Sequence, residues 1–174
     1  MRRLYLLRHA KSSWDDPALD DYDRPLNGRG RAAARLMAAH LRAARLRPDL
    51  VLCSGARRTR QTLDSLEAVL DGVPAVIEPE LYEADRTGLL ARLRRLDDRL
   101  ASVLVIGHNP GLERLAEALA GGQGDGQALA RLAAKFPTGA LAVLDGEIDR
   151  WAELDHGTCR LAAFVRPKDL DKGT

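Results

Sequence analysis

The sequence predicts a three-layer α/β fold: a mainly parallel central sheet with helices on both faces and an antiparallel C-terminal edge. Two observations carry this. From residue 3 to about residue 120, short apolar runs alternate with longer amphipathic stretches, the order that repeated strand–helix units leave in a chain. After Phe136-Pro137-Thr138-Gly139 the pattern changes to strand-like segments alone, which adds antiparallel strands at one side.

Residues 3–7 read as a first buried strand, and residues 28–46 as a helix in which Ala33, Leu36, Met37, His40, Leu41 and Ala44 recur at helical spacing. Asn27 is placed to cap it. A second strand at 49–53 precedes a helix at about 57–70, where Thr59, Leu63, Leu66 and Leu70 share a face. A strand at 74–77 and a helix at about 87–98, with Leu89, Leu90, Leu93 and Leu96 in register, repeat the unit. Ser102-Val103-Leu104-Val105-Ile106 is a strand, and Asn109-Pro110 opens a helix with an N-cap and a proline in its first turn, ending near Gly121-Gly122. The glycine-rich run at 121–126 reads as a flexible surface loop, because too little chain follows for a second domain. Strands are expected at about 140–145, 150–154 and 159–165, with Asp145-Gly146 and His156-Gly157 at the turns. There is no internal repeat.

A chain of 174 residues fits one domain over 1–174 with one core. Hydrophobic residues at 45% and charged residues at 30% are ordinary for a globular protein that folds by itself. The net charge of +2 is spread among acids, and aromatics make up only 4%, which argues against nucleic acid as a partner. The run Arg2-Arg3-Leu4-Tyr5-Leu6-Leu7 is too short for a signal-peptide core, and no stretch approaches the roughly 18 apolar residues of a membrane span. A cytoplasmic protein without a membrane partner is expected, its oligomeric state open. Cys53 and Cys159 lack metal-ligand spacing and read as small core residues of strands.

In an open parallel sheet, ligands bind beyond the carboxyl ends of the strands. The first strand ends in Arg8-His9, the second leads into Ser54-Gly55-Ala56-Arg57-Arg58-Thr59, and the 102–106 strand into Gly107-His108-Asn109-Pro110. Arginines and histidines gathered on one edge repel one another unless an anion neutralises them. Phosphate is the natural anion, because the guanidinium fork matches its oxygens. A neutral imidazole is also a nucleophile near pH 7, so His9 could accept a phosphoryl group while Arg8, Arg58 and His108 stabilise the charge on its oxygens. That scheme demands no metal and no cofactor. Arg57 reads as solvent-facing, and His40 and His156 as structural. Trp14, Asp15, Asp16, Asp20, Asp21 and Asp23 form either a lid near the site or a solvated acidic loop.

Leu7-Arg8-His9-Ala10, then Ser54 with Arg58, Gln61 and Thr62, then Gly107-His108 resemble the histidine phosphatase superfamily, whose fold is that of phosphoglycerate mutase. The runs Arg8 to Trp14, Asp23-Arg24-Pro25-Leu26-Asn27 with Arg29-Gly30, and Phe136 to Ala140 resemble its small SixA-type phosphohistidine phosphatases. The resemblance covers residues 3 to about 167. It implies a phosphohistidine intermediate on His9, with Arg8, Arg58 and His108 holding the phosphate. Gly55 stands where that branch often has proline, which predicts a looser turn. Glu83 is the nearest match to the proton-donating glutamate of mutase-like relatives, with a nearby loop acid as the alternative.

The leading expectation is a hydrolase acting on phosphohistidine in a protein. The same chemistry on a small phosphate ester is the alternative, and it would require a proton donor such as Glu83 because an alkoxide leaves poorly. A non-catalytic phosphate-binding module and a mutase are less well supported: His9 and its phosphate-holding partners are all present, and the short chain has little to build a closed cavity.

Overall fold

The computed structural model describes residues 1–171. Six strands, β1 (Arg2–Arg8), β2 (Leu50–Ser54), β3 (Ala75–Glu78), β4 (Ser102–Gly107), β5 (Leu141–Gly146) and β6 (Cys159–Val165), form one sheet in the order β3-β2-β4-β1-β5-β6. The first four in that order are mutually parallel, whereas β5 pairs antiparallel with β1 and β6 antiparallel with β5. The expected mainly parallel sheet with an antiparallel C-terminal edge is therefore present.

Strand alternation divides the core in two. Leu4, Leu6, Val103 and Val105 point to one face, where α3 (Arg86–Arg94), α4 (Gly111–Ala120) and α5 (Gly126–Ala134) cover them. Tyr5, Leu7, Val51, Cys53, Leu104 and Ile106 point to the other, packed beneath α1 (Gly28–Ala43), α2 (Arg57–Ser65) and the short α6 (Pro167–Leu170). The central strands are buried on both faces, which explains their unbroken apolar runs. Cys53 and Cys159 are free and buried in β2 and β6, and burial pushes the Cys53 thiol up to about 12.

Several expected elements differ. Residues 150–154 are not a strand: Trp151–Glu153 is a 3-10 turn, because Trp151 and Leu154 bury together at a spacing of three and the indole Nε1 donates to the Leu100 carbonyl at 2.9 Å. Helix α5, which follows the glycine run directly, was not expected. Asp125 caps it by accepting from the Ala128 amide at 2.9 Å, and Ala128 and Leu132 are its buried residues. The glycine run itself is tied to the sheet, with Gly124 bridged to Leu161 and the Asp125 amide donating to the Leu161 carbonyl. Helix α2 stops at Ser65 and continues through turns to Leu70. Asn109 does not cap α4, since Pro110 holds that position and the Asn109 amide turns to the Phe136 carbonyl.

The ends of β1, β2 and β4 lie side by side. Arg8 is level with Gly107, and Cys53 with Ile106, so the residues that follow each strand emerge at one edge of the sheet.

Candidate active site

His9 follows directly on β1 and is fixed through its backbone from both sides. Its amide donates to the Gly107 carbonyl at 3.1 Å, and its carbonyl accepts from the Gly139 amide at 2.9 Å. Gly139 has a φ of +76°, a conformation that favours glycine and explains why Thr138 is followed by it. The imidazole is buried, 6% exposed, and its Nδ1 lies 2.7 Å from the Ala10 carbonyl. A carbonyl only accepts, so Nδ1 carries the proton and Nε2 holds a free lone pair. That lone pair accepts from Arg58 Nε at 3.3 Å.

Arg58 is brought there by α2. The spacing from Arg58 to Gln61 and Thr62 has a structural meaning: Thr62 Oγ1 donates to the Arg58 carbonyl at 2.7 Å and accepts from the Ala10 amide at 3.0 Å, joining the helix to the residue after His9. Gln61 Oε1 accepts from the Leu26 amide at 2.8 Å and ties down the loop that leads into α1. The rest of the Arg58 guanidinium is bonded by Asp21, which accepts at its carbonyl from Nη1 at 2.6 Å and at its carboxylate from Nη2 at 2.9 Å. The same carboxylate accepts from Arg24 at 2.8 Å and from the Tyr82 hydroxyl.

His108 stands opposite His9, ring centroids 5.3 Å apart, with the edge of Tyr82 against it at 5.3 Å. Its Nε2 is 2.7 Å from Ser54 Oγ, which also accepts from the Ala56 amide at 3.3 Å. The serine hydroxyl can therefore donate to Nε2, leaving the proton of His108 on Nδ1. Arg8 donates from Nη1 to the Phe136 carbonyl at 3.0 Å, and Asn109 donates to the same oxygen at 2.9 Å. Phe136 thus fixes two residues of the site through one carbonyl. Among the described residues, Arg8 Nε and His108 Nδ1 are buried without a partner, two donors that an oxyanion would satisfy.

These residues line an open cavity of about 300 Å³ with Lys11, Ser12, Trp14, Arg24 and Thr138. Burial dominates its electrostatics. It pushes His9 down to about 3 and His108 down to about 4, helped by the neighbouring arginines, so both rings are neutral at pH 7. Burial lowers Arg8 as well. Asp21 is lowered for a different reason: hydrogen bonds from Tyr82, Arg24 and Arg58 stabilise its charged form and hold it far below the usual carboxyl range, so it is ionised. A cavity with three arginines, a lysine and one carboxylate that can be displaced is suited to a small, multiply charged anion.

The structure brings Arg8, His9, Arg58 and His108 together, and places Glu83 elsewhere. Glu83 ends the 3-10 turn Pro79–Glu83 with its side chain exposed and outside the cavity wall, while its neighbour Tyr82 reaches the His108 ring and the Asp21 carboxylate. The acidic loop divides: Asp21 reaches the site, whereas Asp15, Asp16, Asp20 and Asp23 are exposed. Trp14, 77% exposed, is stacked on by Arg24, whose guanidinium carbon lies 3.1 Å from the ring centroid. Arg57 is exposed, as expected. Gly55 does not loosen its turn, because Tyr22 fills the space and a Cβ there would lie 3.1 Å from Pro79 Cα. Sequence reasoning did not single out Tyr82, Lys11 or Thr138 for the site. Asp21 and Tyr82 carry no spacing signal, and only the Phe136-Pro137-Thr138-Gly139 run hinted at Thr138.

A doubly wound sheet with two neutral imidazoles and paired arginines at its carboxyl edge defines a phosphate-handling enzyme of the phosphatase class. The profile of the histidine phosphatase superfamily (branch 1) matches residues 4–93, and the chain belongs to that superfamily. An uncharacterized protein of Mycobacterium tuberculosis is 39% identical over 163 residues, covering 93% of this chain and 100% of the relative. The phosphohistidine phosphatase SixA of Escherichia coli is 36% identical over 112 residues, 62% of this chain and 68% of that protein. The structure of the protein histidine phosphatase SixA complexed with tungstate superposes with a TM-score of 0.77 at 28% identity, covering 97% of this chain and 99% of that one. Among the described residues no helix is long and apolar enough to cross a membrane, and no group of histidine, cysteine and carboxylate side chains could hold a metal ion.

Proposed function

We propose that this chain hydrolyses phosphohistidine in proteins, through a phosphoryl group carried on His9. The observation that carries the reading is the state of His9: Nδ1 is committed to the Ala10 carbonyl, so Nε2 is unprotonated and aimed at the Arg58 guanidinium in the cavity. A phosphoryl group bound beside it would take donors from Arg58, Arg8 and His108. The nucleophile is then already unprotonated at neutral pH.

In the first step the lone pair of His9 Nε2 forms a bond to phosphorus as the P–N bond to the substrate imidazole breaks. The departing imidazole keeps that electron pair and leaves neutral, because the proton on its other nitrogen was present before cleavage. Water then attacks the phosphorus, the bond to Nε2 breaks, and inorganic phosphate departs with the water oxygen. Arg8 and Arg58 stabilise charge on the equatorial oxygens in both steps. Their fixed partners, the Phe136 carbonyl and the Thr62-anchored helix, keep the reorganisation small.

The choice of substrate rests on the leaving group. A phosphoimidazole needs no further proton, whereas an ester oxygen does. Glu83, the candidate donor for an ester, would have to approach from the exposed end of its turn, and Asp21 is held ionised. The exposed cavity also admits a group carried on another protein.

The test is turnover of a histidine-phosphorylated protein beside a panel of phosphate esters, with chelator present, by the wild type and by His9→Ala. Rapid chelator-resistant loss of phosphohistidine, abolished in His9→Ala, is the expected result. Hydrolysis of esters alone would leave the His9 chemistry standing and remove the phosphohistidine assignment. Binding without turnover would make the chain a phosphate-binding module.

A further inference from the structure

Next to the catalytic cavity runs a larger groove, about 620 Å³, between α1, the end of α5 and α6. The two are continuous, since Lys11 and Thr138 line both. The groove has an apolar floor, including Leu36, Pro137 and Pro167, and a basic rim.

The state of that rim identifies what could fill it. Arg131 and Arg166 are already neutralised by Asp169, at 3.4 and 2.7 Å. Lys11, Arg29, Lys135 and Lys168 are different: among the described residues none has an ion-pair partner. Lys11, Arg29, Lys135 and Lys168 are also exposed, on four separate segments that converge on the groove. Asp171 is the single carboxylate in the lining itself. Four cations around an apolar floor complement a polypeptide that offers acidic side chains beside a few apolar ones.

We propose that this groove is the docking site for the protein segment that carries the phosphohistidine, and that it selects acidic segments. The inference rests on the phosphohistidine reading above. A segment lying along the groove passes the shared wall at Lys11 and Thr138, where its phosphorylated side chain turns into the catalytic cavity. Discrimination between phosphoproteins then comes from the groove, because the cavity sees only the phosphoryl group and its imidazole.

The experiment compares three probes: phosphohistidine as the free amino acid, a peptide with phosphohistidine among aspartates and glutamates, and one of equal length with lysines in their place. The variant is Arg29→Glu/Lys135→Glu/Lys168→Glu, three exposed positions outside the catalytic cavity. For the wild type, kcat/KM on the acidic peptide should exceed that on the lysine peptide, more so at low salt. In the variant, KM for the acidic peptide should rise roughly ten-fold with kcat retained, since several surface charges act together. The free amino acid should be turned over unchanged by both. Equal use of the two peptides by the wild type, or an unchanged KM in the variant, would overturn the docking site and leave phosphohistidine hydrolysis intact. Hydrolysis of esters with no action on any of the three probes would instead overturn the functional reading, and the docking site with it.

Discussion

Arg58 illustrates how the site is kept ready at the scale of single residues. Its Nε bonds His9, while Asp21 supplies a carboxylate to Nη2, the donor a phosphoryl oxygen would need. Asp21 thus occupies the guanidinium fork and must yield it on phosphate binding. Because Asp21 is half exposed, at 48%, the competition is modest. Asp21→Asn should bind inorganic phosphate about three-fold more tightly by calorimetry at pH 7. Weaker binding would mean that Asp21 serves chiefly to orient Arg58. For His9, the ring-proton shifts followed by NMR should show no titration near 6.5 and a midpoint near 3, so that the ring is still neutral at pH 5. A midpoint above 6 would mean that burial is not the dominant influence on this ring.

At the scale of elements, the site is an arrangement of strand ends braced by helix starts. β1 delivers Arg8 and His9, and α2 is locked to them by Thr62 rather than by apolar packing alone. Likewise the start of α1 sits on the loop after His9, so close that a Cβ on Gly30 would lie 2.9 Å from Lys11 N. Thr62→Val keeps the shape but leaves the buried Ala10 amide without its acceptor. The expected cost is about 1–3 kcal/mol in stability. A fall in kcat should accompany it, because the nucleophile loses its tie to α2, and Thr62→Ser should recover most of both. Denaturant unfolding and steady-state kinetics read the two effects, and a stability loss with unchanged kcat would place Thr62 in the scaffold alone.

For the whole molecule, the two depressed imidazoles link folding to pH. Their unfolded values lie near 6.5, above the folded values of about 3 and about 4. Above pH 6.5 both states are neutral and the histidines contribute no pH dependence. Below it the unfolded chain takes up protons that the folded chain refuses, so stability falls as pH drops from 6.5 toward 4. Each ring contributes a slope of up to about 1.4 kcal/mol per pH unit in that window. Urea unfolding at pH 7 and pH 5 should show the loss, and His9→Ala should reduce it. An equal loss in His9→Ala would assign the acid sensitivity to other groups.

The elements and the site were legible in the sequence to different depths. Apolar periodicity located the six strands, most sharply β1, β2, β4 and β5, because strands buried on both faces leave runs such as Val103-Leu104-Val105-Ile106. It missed α5, where glycines precede a nine-residue helix, and misread Trp151–Glu153, whose burial follows a 3-10 spacing. Arg8, His9, Arg58 and His108 were legible because each follows or ends an element whose position is set by local pattern.

The sequence by itself determined the order of strands and helices, the basic and imidazole groups at the strand ends, and the family to which they belong, since propensity, periodicity and motif spacing act over a few neighbouring residues. Only the tertiary structure decided that Asp21 holds Arg58 from 37 positions away, that the Phe136 carbonyl fixes Arg8 from 128 positions away, that Tyr82 meets His108 and Asp21 while Glu83 is exposed, and that a basic groove adjoins the site. Those contacts join segments brought together by the packing of two helical layers on one sheet, and no local pattern in the chain encodes which polar side chains will meet there.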